Sequence, residues 1–89
     1  MDDLTQPADL SPVVNRVKRA QGQLAGVLRM IEEERDLDQV LNQLKAVTRA
    51  LERAGFAMIT QDLRRHVGRG EEITEGDLDT YERHFLSLS

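Results

Sequence analysis

Four cations on one short stretch carry most of the chemistry this chain offers. Arg16, Lys18, Arg19 and Arg29 fall between Leu10 and Ile31, with no Asp or Glu among them. At 100° per residue, Asn15, Arg19, Gly22, Gln23, Gly26 and Arg29 gather on one side of a helix, flanked by Arg16 and Lys18. Guanidinium and ammonium groups collected in this way suit a polyanion, whose phosphates accept charge-assisted hydrogen bonds. Gly22 and Gly26 sharpen the point, because each costs a helix about 0.8–1.0 kcal/mol relative to Ala. Something must approach that face closely. Either a second helix packs there through a small-xxx-small contact, or a nucleic-acid backbone lies there, with Arg and Lys on phosphates and Gln23 hydrogen-bonding. Both readings stay open on the residues alone, whereas a plain solvated face explains the arginines but not the glycines.

Other chemistry is thin. Asp62 and His66 stand four apart and share a helix face, offering one oxygen and one nitrogen to a borderline cation. Two donors are too few for a tight site, so His84, or Asp2 and Asp3 from a neighbouring subunit, would have to complete it. The alternative is a polar pair at a subunit interface, with Asp62 stabilising His66 as imidazolium and Glu82 joining it. Asp36 and Asp38 beside Glu32–Glu34 lack the spacing and glycine of a calcium loop, and read as an exposed acidic helix junction. Arg64, Arg65, His66 and Arg69 sit at a helix C-terminus, where cations are favoured in any case, and remain secondary candidates for DNA contact. With no cysteine, the chain has no disulfide, thiolate metal site or thiol chemistry. No nucleophile set, phosphate-binding loop or dinucleotide fingerprint is present, so the expectation is not an enzyme and no cofactor.

The elements that must position these residues are helices. Eighty-nine residues with 39% hydrophobic content and only three aromatics show no alternation of polar and apolar residues. The expected fold is all-α: helices over about 12–34, 37–67 and 75–87 in one domain spanning 11–89, preceded by a flexible arm over 1–10. Ser11 as N-cap with Pro12 at the first position opens the first helix. Its core stripe is Leu10, Val14, Val17, Leu24, Leu28 and Ile31. Asp36 or Asp38 caps the second, whose stripe is Val40, Leu41, Leu44, Val47, Leu51, Met58, Ile59 and Leu63, interrupted by Gly55. Gly68-Arg69-Gly70 ends it, Thr74 and Asp77 start the third, and Leu78, Tyr81, Phe85 and Leu88 are to be buried. Three helices bury little alone, so self-association is expected. The net charge of −4 excludes coating nucleic acid through bulk charge but not a local basic face. No apolar run approaches a membrane span and no signal-peptide pattern precedes the arm, which points to a soluble, cytoplasmic protein.

The segment NRVKRAQGQLAGVLRMIEEE, followed by VLNQLKAVTRALERAG, closely resembles the CsoR/RcnR family of small helical repressors. The resemblance spans about Val13 to Val67, and its most specific part is RxxGQxxGxxRMIE, here Arg19 to Glu32. It implies a homotetramer, a dimer of antiparallel helical dimers, that binds double-stranded operator DNA without a helix-turn-helix. The family's DNA contacts carry over to Arg16, Lys18 or Arg19, and Arg53, with Gln21 and Gln23 as weaker matches.

The family's sensing ligands do not carry over. The pattern puts Leu37 where family members use a cysteine, Asp62 where they use a histidine, and His66 at the last ligand position. Cu(I) wants thiolate or thioether donors, and capture by a cysteine is impossible here; Leu37 is expected to extend the core. The implied function is therefore a DNA-binding repressor released by an unidentified effector other than Cu(I) or a thiol-reactive species. Two alternatives stand beside it: a helical partner-binding scaffold without sensing, and a divalent metal sensor using His66.

Overall fold

A computed structural model describes residues 9–88. They form three helices, α1 (Ser11–Glu32), α2 (Leu37–Gly68) and α3 (Glu75–Ser87). Residues 1–8, with most of the expected arm and both Asp2 and Asp3, lie outside the described residues.

A four-residue connection folds α1 and α2 into an antiparallel hairpin, closed along a seven-residue repeat. Val13, Ala20 and Val27 of α1 are buried, as are Val47 and Ala54 of α2. Val40 and Gln61, one repeat on either side, are half-buried. A period of seven keeps one seam facing its partner, and alanines at Ala20 (1% exposed) and Ala54 (4%) let the backbones approach closely. The helices lie in a single layer, with Cα extents of 53 × 30 × 11 Å.

Val40 and Val47 of the expected α2 stripe lie on this seam, but most of the stripe that the large side chains mark does not. Leu10, Val14, Val17, Leu24, Leu28 and Ile31 are exposed, as are Leu41, Leu44, Leu51 and Met58 of α2. Leu37, expected to extend the core, is 69% exposed, and Met58, expected to pack in it, is 51% exposed. The physical reason is angular. On both helices these residues stand roughly 90° around from the seam, and a single layer has no second layer to cover them. The seam goes to small side chains and the leucines face outward.

The termini correct and refine the expected caps. Ser11 is the first helical residue, not the N-cap; Leu10 holds that place, and the Asp9 carboxylate accepts the Ser11 N–H at 2.9 Å. Asp36 is the N-cap of α2 but makes no side-chain cap bond. α1 and α2 end in the same hydrogen-bond pattern. Arg35 N–H reaches Met30 O and Glu34 N–H reaches Ile31 O; Glu71 N–H reaches His66 O and Gly70 N–H reaches Val67 O. This arrangement needs a left-handed residue past the helix. Gly70 supplies it at φ 73°, whereas α1 forces Glu34 to φ 55°.

α3 opens on the expected capping box. Asp77 N–H donates to Thr74 Oγ1 and Thr74 N–H donates to Asp77 Oδ2, each at 3.0 Å. That donation from the Thr74 backbone holds the Asp77 carboxyl below its ordinary range. Of the residues expected to be buried, Tyr81 is, Phe85 and Leu88 are half-buried, and Leu78 is exposed. Phe85 stacks on Phe56 of α2, centroids 5.5 Å apart. Leu88 settles on Gly55, where a Cβ would stand 2.8 Å from its Cδ1. Gly55 therefore receives α3, within an α2 that continues through it.

Candidate nucleic-acid interface

The seam's repeat turns one flank of each helix toward a common groove. Because α1 and α2 run antiparallel, Arg16 and Arg19 of α1 meet Arg49 and Arg53 of α2 across a recess of about 300 Å³, with Gln23, Ala46 and Ala50 completing its lining. Arg16 also lines the next recess along the hairpin, of about 290 Å³, together with Ala57, Thr60, Gln61 and Arg64. A line of guanidinium groups thus follows the hairpin on the flank away from the exposed leucines. Along α2 it runs from Arg49 to Arg64, about 22 Å at 1.5 Å per residue.

Three of the expected contacts, Arg16, Arg19 and Arg53, are brought together here, with Gln23 between them. Gln23 is half-buried, and its side-chain oxygen is enclosed with no hydrogen-bond donor. Lys18 is not part of the groove; it points away from the seam and is exposed. Gln21 is likewise exposed. Arg49 is the residue that sequence reading passed over. Its signal was available: it stands four before Arg53, so the two share a helix face.

Among the described residues, no other helix packs against the two glycines. Nothing lies within 4 Å of where a Cβ of Gly22 would stand, and at Gly26 the nearest group is the Arg29 guanidinium at 3.7 Å. The close approach that would account for them is not made within the described residues.

The far end of α2 is built differently. Tyr81 O–H donates to Asp62 Oδ2 at 2.8 Å, and Arg65 pairs with Asp62 Oδ1. Having given its one proton to Asp62, Tyr81 accepts from His66 Nδ1 at 3.1 Å, while His66 Nε2 meets Glu71 Oε1 at 3.1 Å. Burial, then the bond to Asp62 and its charge, raise the Tyr81 hydroxyl above its ordinary range. The expected Asp62–His66 pair is therefore corrected. Tyr81 stands between the two, and the carboxylate facing His66 belongs to Glu71. Glu82 is exposed and takes no part. His84 is also exposed, and lines with Asp62, Met58 and Leu88 a recess of about 410 Å³ between α2 and α3.

As a metal centre this end is poorly furnished. Among the described residues, no three His, Asp or Glu side chains come together in a way that would hold an ion. Leu37 begins α2, about 37 Å along the helix from Asp62, so the three positions matching the family's ligands do not meet within one chain.

Comparison with known proteins agrees with these features. Residues 9–85, all three helices, match the family model described as metal-sensitive transcriptional repressor. The chain is similar to the copper-sensing transcriptional repressor RicR of Mycobacterium tuberculosis, at 38% identity over 68% of this chain and 62% of that protein. It is also similar to the copper-sensing transcriptional repressor CsoR of Mycobacterium ulcerans, at 42% identity over 56% of this chain and 43% of that protein. The matches thus span less than two thirds of either relative's length. No solved structure gives a significant match. No described helix is long and apolar enough to cross a membrane. With its basic helical hairpin matched from end to end, this chain belongs to the family of metal-sensitive transcriptional repressors.

Proposed function

We propose that this protein is a cytoplasmic, homo-oligomeric repressor that holds double-stranded operator DNA along the α1–α2 groove. The observation carrying this reading is the convergence of Arg16, Arg19, Arg49 and Arg53 from two helices on one recess of an acidic protein. Guanidinium groups engage phosphates in bidentate pairs, and phosphate contacts fix a protein's position on a duplex. Gly22 and Gly26 border the same flank, bare of side chains, which lets a sugar–phosphate backbone come close to the helix. The exposed leucines on the opposite flank, among them Leu24, Leu28, Leu41 and Leu44, support assembly with further copies. A homotetramer is the form the family resemblance implies.

The effector is a different matter from the DNA. Leu37, Asp62 and His66 replace the ligand set with a hydrocarbon, a carboxylate bonded to Arg65 and Tyr81, and an imidazole bonded to Tyr81 and Glu71. Cu(I), which prefers sulfur, does not fit that set. A divalent ion at His66 would have to displace the Glu71 or Tyr81 contact. We therefore read the release signal as something other than Cu(I).

The test is a binding measurement on the promoter region upstream of the protein's own gene. At moderate salt the purified protein should bind that duplex well ahead of a scrambled duplex of equal length, with affinity falling steeply as salt rises. Equal binding to both duplexes would end the reading.

A further inference from the structure

The four arginines of the groove are set apart by converging on one recess, since among the described residues Arg29, Arg64, Arg69 and Arg83 have no ion pair either. Arg35 is held by Glu33 and Arg65 by Asp62. Among the described residues, no ion pair or side-chain hydrogen bond engages Arg16, Arg19, Arg49 or Arg53. Four like charges around about 300 Å³ raise one another's potential and focus it inside the recess.

The shape is as informative as the charge. Ala46 and Ala50 contribute only methyl groups, so the recess has depth between arginine walls from both helices. An extended sugar–phosphate backbone touches such a recess one or two phosphates at a time. A short, unesterified chain of phosphates can enter it and meet all four guanidinium groups at once. The volume lies at the lower end of ordinary small-ligand pockets, roughly 300–1,000 Å³. Gln23 adds a directional group. It lines the recess, and its side-chain N–H group can donate to a phosphate oxygen.

We infer that the α1–α2 groove is also a binding site for a compact oligophosphate, whose binding displaces DNA. This inference rests on the reading of the groove as a phosphate site. It makes operator and effector rivals for the same arginines, so that release needs no distant sensor.

Isothermal titration of the full chain with sodium tripolyphosphate, at fixed ionic strength and with sodium sulfate as control, tests the site. One anion should bind per chain, at least about tenfold more tightly than sulfate, and Arg49→Ala should cost about tenfold. Arg53→Ala should do the same, and Lys18→Ala, outside the groove, should change little; circular dichroism checks that each variant keeps its helices. In a second arm, tripolyphosphate should release the promoter duplex near the concentration at which it binds the free protein, while sulfate at equal ionic strength leaves the duplex bound. Tripolyphosphate binding no tighter than sulfate overturns the inference while duplex binding keeps the DNA reading alive. Tripolyphosphate and duplex bound together without competition also overturns it. Saturable, Arg49-dependent anion binding with no duplex binding keeps the anion site but overturns both its displacement of DNA and the DNA reading.

Discussion

The two polar regions of this hairpin use similar residues to opposite ends. In the α1–α2 groove, four arginines face one another with no carboxylate among the lining residues. At the α2–α3 end, Arg65, Asp62, Tyr81, His66 and Glu71 form a chain in which each group meets a neighbour. Paired polar groups fasten elements together. Unpaired like charges that converge cost folding energy and await something from outside. On the proposed reading the groove is the working surface, and the α2–α3 end is the joint that holds α3 in place.

The largest expected effect breaks the groove. The double variant Arg16→Ala/Arg53→Ala should lose about a hundredfold or more in affinity for the promoter duplex, at about tenfold per charged contact. Fluorescence anisotropy reads this directly. A loss below about fivefold would mean that these arginines are not the phosphate contacts. Tyr81→Phe attacks the joint instead. Removing the hydroxyl leaves Asp62 and His66 each without one partner and should cost about 1–3 kcal/mol in urea unfolding. The folded variant should still bind DNA as the parent does; a large loss of affinity would erase the distinction between the two regions.

Smaller effects sharpen the account of how α3 is held. Thr74→Ala removes the cap and should cost about 1 kcal/mol. Glu34→Gly relieves the left-handed residue that ends α1 and should stabilise by up to about 1 kcal/mol, bringing that terminus into line with Gly70. The pH profile of stability gives the finest test. Asp77 is held below its ordinary value, so its contribution is present at neutral pH and lost as pH falls through the lowered value. Tyr81 is raised, so its contribution is present below pH 10.0 and lost as pH climbs through the raised value. In Tyr81→Phe the alkaline loss should vanish while the acid loss remains, which urea midpoints from acid to alkaline pH would reveal.

Much of this was legible in the sequence, for identifiable reasons. The helices and the third helix's capping box follow from local rules that Thr74 and Asp77, or Gly70, obey within a turn. The groove's α1 wall is visible in the spacing of Arg16, Arg19 and Gln23. Its α2 wall is not, because Arg49 joins them only once the hairpin's register is known. The choice of seam was hidden for a related reason. Hydrophobicity singles out Leu24, Leu28 and Leu44, whereas close antiparallel packing selects Ala20 and Ala54, and only the single-layer arrangement tells which set faces α2. Tyr81 was hidden differently. Its apolar ring suggested core, and its hydroxyl's place between Asp62 and His66 depends on the turn that carries Glu71.

If the arginines between α1 and α2 hold the DNA phosphates, promoter binding carries their signature in its response to salt. The most direct test is the salt dependence of promoter binding, measured side by side for the parent chain and Arg53→Ala. Each phosphate left without its arginine should lower the slope of log K against log salt by about 0.9. Arg53→Ala should show a shallower slope, by about one unit for each chain that touches the duplex. An unchanged slope, with affinity intact, would contradict this.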